Sequence, residues 1–251
     1  MTAAAIYDRA YYTDRQEDWS ASAAALVPPL LRLFPARSVI DVGCRTGNLL
    51  AAFAQHGVTD GCGLDGDHVP REHLRIPPAQ FRVADLLTLS DVGRPFDIAC
   101  SLEYANQLPP ARAEGFVALL VRAAPVVLFS AAVPGQAGLG HRNAQRQSYW
   151  ARLFAAHGRV PVDCIRPAVH GPPGVAWYYA QNTLVYCPPA RVPEGWSPVT
   201  NPLYLDLLDA HVFNPMTRPP DSIRGALHSF ERDGAALWRA LRRRITHSVA
   251  G

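Results

Sequence analysis

The sequence predicts an α/β protein. Its core is a mostly parallel, seven-stranded sheet with helices on both faces, and a Pro-rich C-terminal extension ending in a helix follows. Three observations predict this. Apolar runs of strand length alternate with helix-length runs from about residue 20 to residue 187. Pro125 to Ala132 is apolar along its length, which suits burial on both faces of a parallel sheet. In Val39-Ile40-Asp41-Val42-Gly43-Cys44-Arg45-Thr46-Gly47-Asn48, an apolar strand enters a turn with two glycines and a helix starts directly after. That geometry brings backbone N–H groups and a helix N-terminus against a ligand, usually a nucleotide-like one.

The elements follow in order. Ser20 to Phe34 reads as a helix with apolar Ala21, Ala25, Leu26, Leu30 and Leu33, which Pro28-Pro29 must kink or restart. Ser38 to Val42 is a buried strand and Asn48 to His56 a short helix. Gly61–Leu64, Phe81–Ala84 and Phe96–Leu102 are the next three strands. Pro109-Pro110 opens a helix to Ala124, as proline at a helix start allows. Pro125–Ala132 is the fifth strand, followed by a glycine-rich loop at 134–141 and a helix from about Ala144 to His157. Pro161–Ile165 and Thr183–Cys187 complete the sheet.

The character changes after Cys187, so residues 1–187 are read as one domain and 188–251 as an extension. Pro188 to Pro220 should wrap the domain surface or act as a linker. Asp221 to Val249 looks like one amphipathic helix, with Asp221 as N-cap and Arg239, Arg242, Arg243 and Arg244 at the C-terminal end, where cations are favoured. It packs on its own domain or offers a face to a second copy or a partner subunit.

Composition narrows the function. The chain is 49% hydrophobic and 18% charged, so it can bury a core. No apolar run reaches the length of a membrane span, and the N-terminus lacks the pattern of a signal peptide. Cys44, Cys62, Cys100, Cys164 and Cys187 are odd in number, widely spaced and form no CxxC pair. They read as buried thiols of a reducing cytoplasm, with no metal site. A net charge of +3 is too weak to argue for nucleic acid. All 24 basic residues are arginine, so lysine Schiff-base chemistry and a P-loop lysine are excluded.

Three acidic or strand-terminal features align behind the glycine turn. Asp65 ends the second strand, 18 residues after Gly47, where a carboxylate can accept both hydroxyls of a ribose. Asp85, followed by Leu86, ends the third strand and suits an adenine amino group. The fourth strand ends in Ser101-Leu102-Glu103-Tyr104, at the carboxyl edge where open α/β sheets hold ligands. Singly, each such Asp is also a common turn former. Gly43-x-x-x-Gly47 lacks the G-x-G-x-x-G of dinucleotide sites, which argues against a dehydrogenase.

These residues resemble the class I S-adenosylmethionine-dependent methyltransferases, from about Val39 to Cys187, with Tyr7 to Phe34 like that family's leading cap helices. The family's first motif, usually Asp-x-Gly-x-Gly-x-Gly, matches Asp41, Gly43 and Gly47, with Arg45 in place of the middle glycine. Its ribose-binding acid falls on Asp65 and its adenine-side acid on Asp85. Its motif after strand four, often Leu-Glu-x-x-Glu-His-Leu-Pro, matches Leu102, Glu103, Leu108 and Pro109, while Glu-His becomes Asn106-Gln107. The resemblance implies a Rossmann-like methyltransferase fold and S-adenosylmethionine as cofactor. It implies a cofactor site drawn from Tyr12, Asp41, Gly43, Arg45, Gly47, Asp65, Asp85, Leu86, Ser101 and Glu103.

Methyl transfer from a sulfonium mainly needs alignment and exclusion of water, with a base where the acceptor is a phenol, amine or carbon acid. The candidates are His141, Glu103 and Tyr104, with Asn143, Gln145, Tyr149 and Trp150 nearby in sequence. Tyr7, Tyr11 and Tyr12 either cover the cofactor or pack the first helix, and Trp177-Tyr178-Tyr179 either line an aromatic pocket or are core. The expected function is methylation of a small molecule in secondary metabolism, such as antibiotic biosynthesis. The alternative is a methyltransferase fold turned to another displacement or elimination on a sulfated, phosphorylated or carboxylated small molecule, with Arg45 as the anion grip and a partner subunit where needed.

Overall fold

A computed structural model describes residues 9–138, 140–170 and 174–208. The first helix, α1, spans Arg9–Leu33 without interruption and contains both Pro28 and Pro29. It therefore begins earlier than the sequence suggests, and the prolines do not restart it. The physical reason lies in packing. Leu26, Val27 and Leu30 around the prolines are fully buried, and burying such side chains at about 1.5–3 kcal/mol each outweighs the roughly 3 kcal/mol cost of an interior proline.

The sheet uses β1 (Ser38–Val42), β2 (Asp60–Asp65), β3 (Phe81–Val83), β4 (Ile98–Leu102), β5 (Val126–Ser130), β6 (Val160–Val162) and β7 (Leu184–Cys187). Its order is β3-β2-β1-β4-β5-β7-β6. β7 runs antiparallel to both of its neighbours, and the remaining pairs are parallel. The chain order reverses direction across the sheet between β1 and β4. Ligands of open α/β sheets sit at such a switch point, beyond the carboxyl ends of the strands.

The connecting helices are α2 (Asn48–Gln55), α3 (Ala113–Ala123), α4 (Gln147–Ala155), α5 (Arg166–Val169) and α6 (Trp177–Asn182). Pro110–Arg112 forms a 3-10 turn before α3, so the helix proper starts three residues later than Pro110. Strand alternation divides the core in two. Val39, Leu128 and Val185 face α1 and α2; Ile40, Val127, Phe129 and Leu184 face α3 and α4. On the second face Phe154 stacks on Tyr186 at 3.8 Å between centroids, and Phe129 meets Trp150 at 5.2 Å. Trp150 and Tyr149 thus belong to a packed aromatic group behind the sheet, not to the site.

The Pro-rich stretch wraps the domain surface as far as it is described. Pro189–Arg191 is a 3-10 turn, and α7 (Pro202–Leu205) is capped by Asn201, whose side chain accepts from the Leu203 N–H at 3.0 Å. The Asp206 carboxylate accepts from the N–H (2.8 Å) and hydroxyl (2.7 Å) of Ser148. Arg166, paired with Asp163 at 2.7 Å, donates to the carbonyls of Tyr204 and Leu205. The helix expected over 221–249 lies outside the described residues, as does Tyr7.

Candidate active site

The glycine turn is built by backbone bonds. The N–H groups of Gly43 and Cys44 both donate to the Leu64 carbonyl (2.8 and 3.1 Å), so the turn is tied to the end of β2. Gly43 (φ +87°) and Gly47 (φ +83°) occupy the left-handed region that glycine tolerates. At Gly43 a Cβ would stand 2.5 Å from the Tyr104 ring, so the close approach also demands glycine. Arg45 adopts φ +51°, although it is not a glycine. Its N–H donates to Asp65 Oδ2 at 2.7 Å, and the Gly66 N–H donates to Asp65 Oδ1 at 2.7 Å. Burial raises the Asp65 carboxyl above its ordinary range, and those two bonds oppose the rise. Each carboxylate oxygen keeps a second lone pair for a ligand hydroxyl.

A cavity lies between this turn and α1. Trp19, Ala23 and Leu26 of α1 line one side, and Asp41, Gly43, Cys44, Arg45, Leu49, Leu102 and Tyr179 line the other. Asp41 is buried, and no hydrogen bond reaches its carboxylate from the described residues. Desolvation pushes its pKa up to about 7, with Arg45 opposing and Asp65 adding to the rise. The Arg45 guanidinium donates to the Tyr179 hydroxyl at 2.8 Å and lies 4.9 Å from the centre of the Trp19 ring. A phenol oxygen and an indole face both suit a cation.

A second cleft of about 430 Å³, partly open to solvent, adjoins the first through Trp19 and Arg45. Arg15, Glu103, Gln107, Gln136, His141 and Tyr178 complete much of its wall. Glu103 follows β4 at φ +55°, an uncommon conformation for a non-glycine residue. Its N–H donates to the Ser130 carbonyl at 3.0 Å. Asn182 Nδ2 donates to Glu103 Oε1 (3.0 Å) and to Gln136 Oε1 (2.9 Å), and Gln136 Nε2 donates to Glu103 Oε2 (2.8 Å). The carboxylate and two amides therefore form a closed cycle. Burial raises the Glu103 pKa, and the bonds from Asn182 and Gln136 restrain it.

His141 lines the same cleft, with its ring against Gly138. Burial lowers its pKa, opposed by a bond to the Gln136 backbone. Tyr104 covers Gly43 and leans on Phe116 at 5.7 Å. The remaining candidates are more dispersed. Asp85 is exposed and closes its own turn, accepting from the Leu87 N–H (3.0 Å) and the Thr88 hydroxyl (2.8 Å), while Leu86 is buried. Ser101 is buried in β4, and its hydroxyl has no hydrogen-bond partner among the described residues. Tyr12 is buried 6.1 Å from Trp19, edge to face.

Asn106, at the altered position after strand four, accepts from the Ala132 N–H through Oδ1 (3.2 Å) and from the Arg142 and Asn143 N–H groups through its carbonyl (2.9 Å each). It pins the loop after β5. Gln107 lines the cleft and donates to the Glu103 carbonyl at 3.0 Å. Asn143 and Gln145 bond each other at 3.0 Å in that loop. Sequence reasoning missed Arg15, Trp19 and Asn182, and it passed over Gln136 within the glycine-rich loop. Trp19 stands one residue before the expected helix start, and Asn182 precedes a strand; neither carries a local signal.

Among the described residues no group of three His, Cys, Asp or Glu could hold a metal ion, and no helix is long and apolar enough to cross a membrane. Comparison with known proteins adds a domain match over part of the chain and a set of structural likenesses. Residues 11–124 match the family described as a methyltransferase domain. No curated protein matches the sequence. Among solved structures, the fold is similar to that of DesVI from Streptomyces venezuelae (19% identity, TM-score 0.51, covering 75% of this chain and 99% of that one). It is also similar to the sugar N-methyltransferase KedS8 from Streptoalloteichus sp. ATCC 53650 (20%, 0.53, 71% and 91%). CalS10, an amino pentose methyltransferase from Micromonospora echinaspora, is a further likeness (19%, 0.51, 72% and 97%). The match to a methyltransferase domain over residues 11–124, the strand order and the glycine turn at the β1–β4 switch point together give the chain a Rossmann-like, methyltransferase-type fold.

Proposed function

We propose that this chain transfers a methyl group from S-adenosylmethionine to a small-molecule acceptor of secondary metabolism. The observation that carries the reading is the Asp41 carboxylate, buried and without a hydrogen bond from the described residues, on the wall of the cavity under α1. A buried acid in that state suits a cationic partner, and the methionyl end of the cofactor carries an ammonium group. Asp65 is suited to the ribose hydroxyls, and Gly43 allows close approach of the backbone. Asp85 and Leu86, at the end of β3, remain candidates for the adenine side.

The cofactor, when bound, supplies a methyl group activated by a sulfonium. The chain's own residues orient and deprotonate the acceptor. Glu103, fixed by Gln136 and Asn182 and raised above the ordinary carboxylate range, can take a proton from an acceptor hydroxyl or amine at Oε1 or Oε2. His141, held neutral by burial, is the second candidate base. Trp19 and Tyr178 give the cleft aromatic walls. A cleft of this size and mixed lining suits a small molecule rather than a nucleic acid. The likenesses to DesVI, KedS8 and CalS10 show the fold, and their acceptors stay theirs.

The test is calorimetry with S-adenosylhomocysteine, followed by transfer of labelled methyl to a panel of amino and hydroxyl sugars and phenols. Micromolar binding is expected, and absence of binding overturns the proposal. Arg45 favours a second reading, because its guanidinium borders both cavities: another displacement or elimination on an anionic small molecule. Under that reading turnover of such a substrate would proceed without the cofactor.

A further inference from the structure

The cavity beside Asp41 is too small for the ligand proposed for it. Its free volume is about 30 Å³, room for a water or two. Sites for small molecules run to about 300 Å³ or more. Trp19, Asp41, Cys44, Leu102 and Tyr179 on its wall are all buried. A wall must therefore move before the methionyl end of a cofactor can enter. The glycine turn is tied down by the backbone bonds from Gly43 and Cys44 to the Leu64 carbonyl. The facing wall is the stretch of α1 that carries Trp19, Ala23 and Leu26.

α1 is attached in two different ways along its length. Its C-terminal part is anchored by fully buried Leu26, Val27 and Leu30. Its N-terminal part is held largely by side-chain hydrogen bonds. Gln16 Nε2 donates to Thr46 Oγ1 (2.9 Å), and Gln16 Oε1 accepts from Asn48 Nδ2 (3.0 Å) and Arg75 Nε (3.3 Å). Asn48 Nδ2 also donates to Ser20 Oγ at 2.7 Å, and Ser22 Oγ accepts from the Ala176 N–H at 3.0 Å. Tyr12 and Trp19 pack edge to face on this same part and travel with it. A groove of about 340 Å³, lined by Gln16, Ser20, Asn48 and Arg75 among others, lets water reach the Gln16 cluster and replace its bonds. Between the two parts stand Pro28 and Pro29. Neither has an N–H, so the carbonyls of Ala24 and Ala25 lose their usual helical donors, and the helix is weakest there. We infer that the Tyr12–Ala23 arm of α1 is a lid, hinged at Ala24-Ala25 and latched by Gln16, which lifts to admit the cofactor and closes over it. The inference rests on the proposed cofactor reading and adds to it the way into the site.

The experiment joins amide hydrogen exchange on the full chain to the binding kinetics of S-adenosylhomocysteine. In the free chain the amides of residues 16–23 should exchange as one block at a common rate, faster than those of residues 30–33. Simple fraying would instead give protection that rises residue by residue toward the prolines. Gln16→Ala should speed exchange of the block roughly tenfold and leave residues 30–33 unchanged, which also shows that the variant folds. The latch closes the free and the loaded chain alike, so the same variant should speed association and dissociation of S-adenosylhomocysteine by similar factors, with Kd little changed. Pro28→Ala with Pro29→Ala restores both missing N–H groups and should slow both rates. Graded exchange in the free chain overturns the lid. So does a Gln16→Ala variant that leaves both rates unchanged, or that alters Kd through one rate alone. If residues 16–23 open as a block that Gln16→Ala accelerates, yet S-adenosylhomocysteine does not bind, the hinged lid stands and the cofactor reading falls.

Discussion

The two ends of the site are held by different kinds of bond. At the end of β2 and β3, Asp65 and Asp85 accept from backbone N–H groups, those of Arg45 and Gly66 for one and Leu87 for the other. At the end of β1 and β4, side chains hold side chains: Arg45 rests on Trp19 and Tyr179, and Glu103 on Gln136 and Asn182. The partners at the first end are near in sequence or one strand away. Those at the second end are 134 residues apart for Arg45 and Tyr179, and 79 for Glu103 and Asn182. Among the described residues, the two non-glycine residues with positive φ, Arg45 and Glu103, both belong to the second end. Strain concentrates where surrounding structure over-determines it, and such places are commonly functional. On the proposed reading, the end suited to adenosine therefore follows from the path of the backbone, and the end proposed to be reactive from side chains distant in sequence.

Gly43 is where the two ends meet, so Gly43→Ala should have the largest effect. A Cβ there would meet the Tyr104 ring at 2.5 Å in a left-handed backbone conformation. The strain of φ +87° and the overpacking together should cost about 2–5 kcal/mol. Urea denaturation should show a lower midpoint with unchanged slope, and calorimetry a loss of S-adenosylhomocysteine binding. Retention of both would mean that Tyr104 swings aside and that the ends are less tightly joined than their geometry implies.

Glu103→Gln isolates the second end. The cycle needs a group that accepts at both oxygens, because Asn182 and Gln136 each present an amide N–H. A glutamine offers one acceptor and one donor, so one amide must face another donor. The expected cost is about 1–3 kcal/mol of stability, together with loss of methyl transfer. Binding of S-adenosylhomocysteine should fall little if the adenosine end is set by backbone alone. An equal loss of binding would show the two ends to be one cooperative unit.

The same contrast explains what was legible in the sequence. The strands, the glycine turn, Asp41, Asp65 and Asp85 are written in local pattern: apolar runs, turn residues and acids at strand ends. The first helix was misread at its start because the segment from Arg9 carries many polar residues, and at its prolines because a propensity rule was outweighed by burial of Leu26, Val27 and Leu30. Trp19, Asn182 and Gln136 were invisible because nothing in a sequence aligns residues that meet only across the sheet edge. Trp150, by contrast, looked accessible to a ligand by its place after β5, but its spacing on α4 turns it into the aromatic group around Phe129.

Asp41→Asn should change stability least at acid pH, where the native carboxyl is already protonated, and its pH dependence makes it informative. The Asp41 pKa stands near 7 in the folded chain and near 3.9 in an unfolded one. Between those values the folded state binds the extra proton, so stability falls as pH rises through the window. The penalty is absent below about pH 4 and complete above about pH 7. Asparagine cannot ionise, so the variant's stability minus that of the native chain should climb across this range by an amount on the order of 4 kcal/mol before it levels off. Taking the difference cancels His141 and Glu103, whose own shifted titrations are common to both chains. Arg45 lowers and Asp65 raises the Asp41 pKa, so repeating the pair in an Arg45→Gly background should move the plateau to higher pH and enlarge it. A flat difference curve would mean that Asp41 finds solvent or a partner in the folded chain. The buried acid would then no longer distinguish the reactive end from the adenosine end.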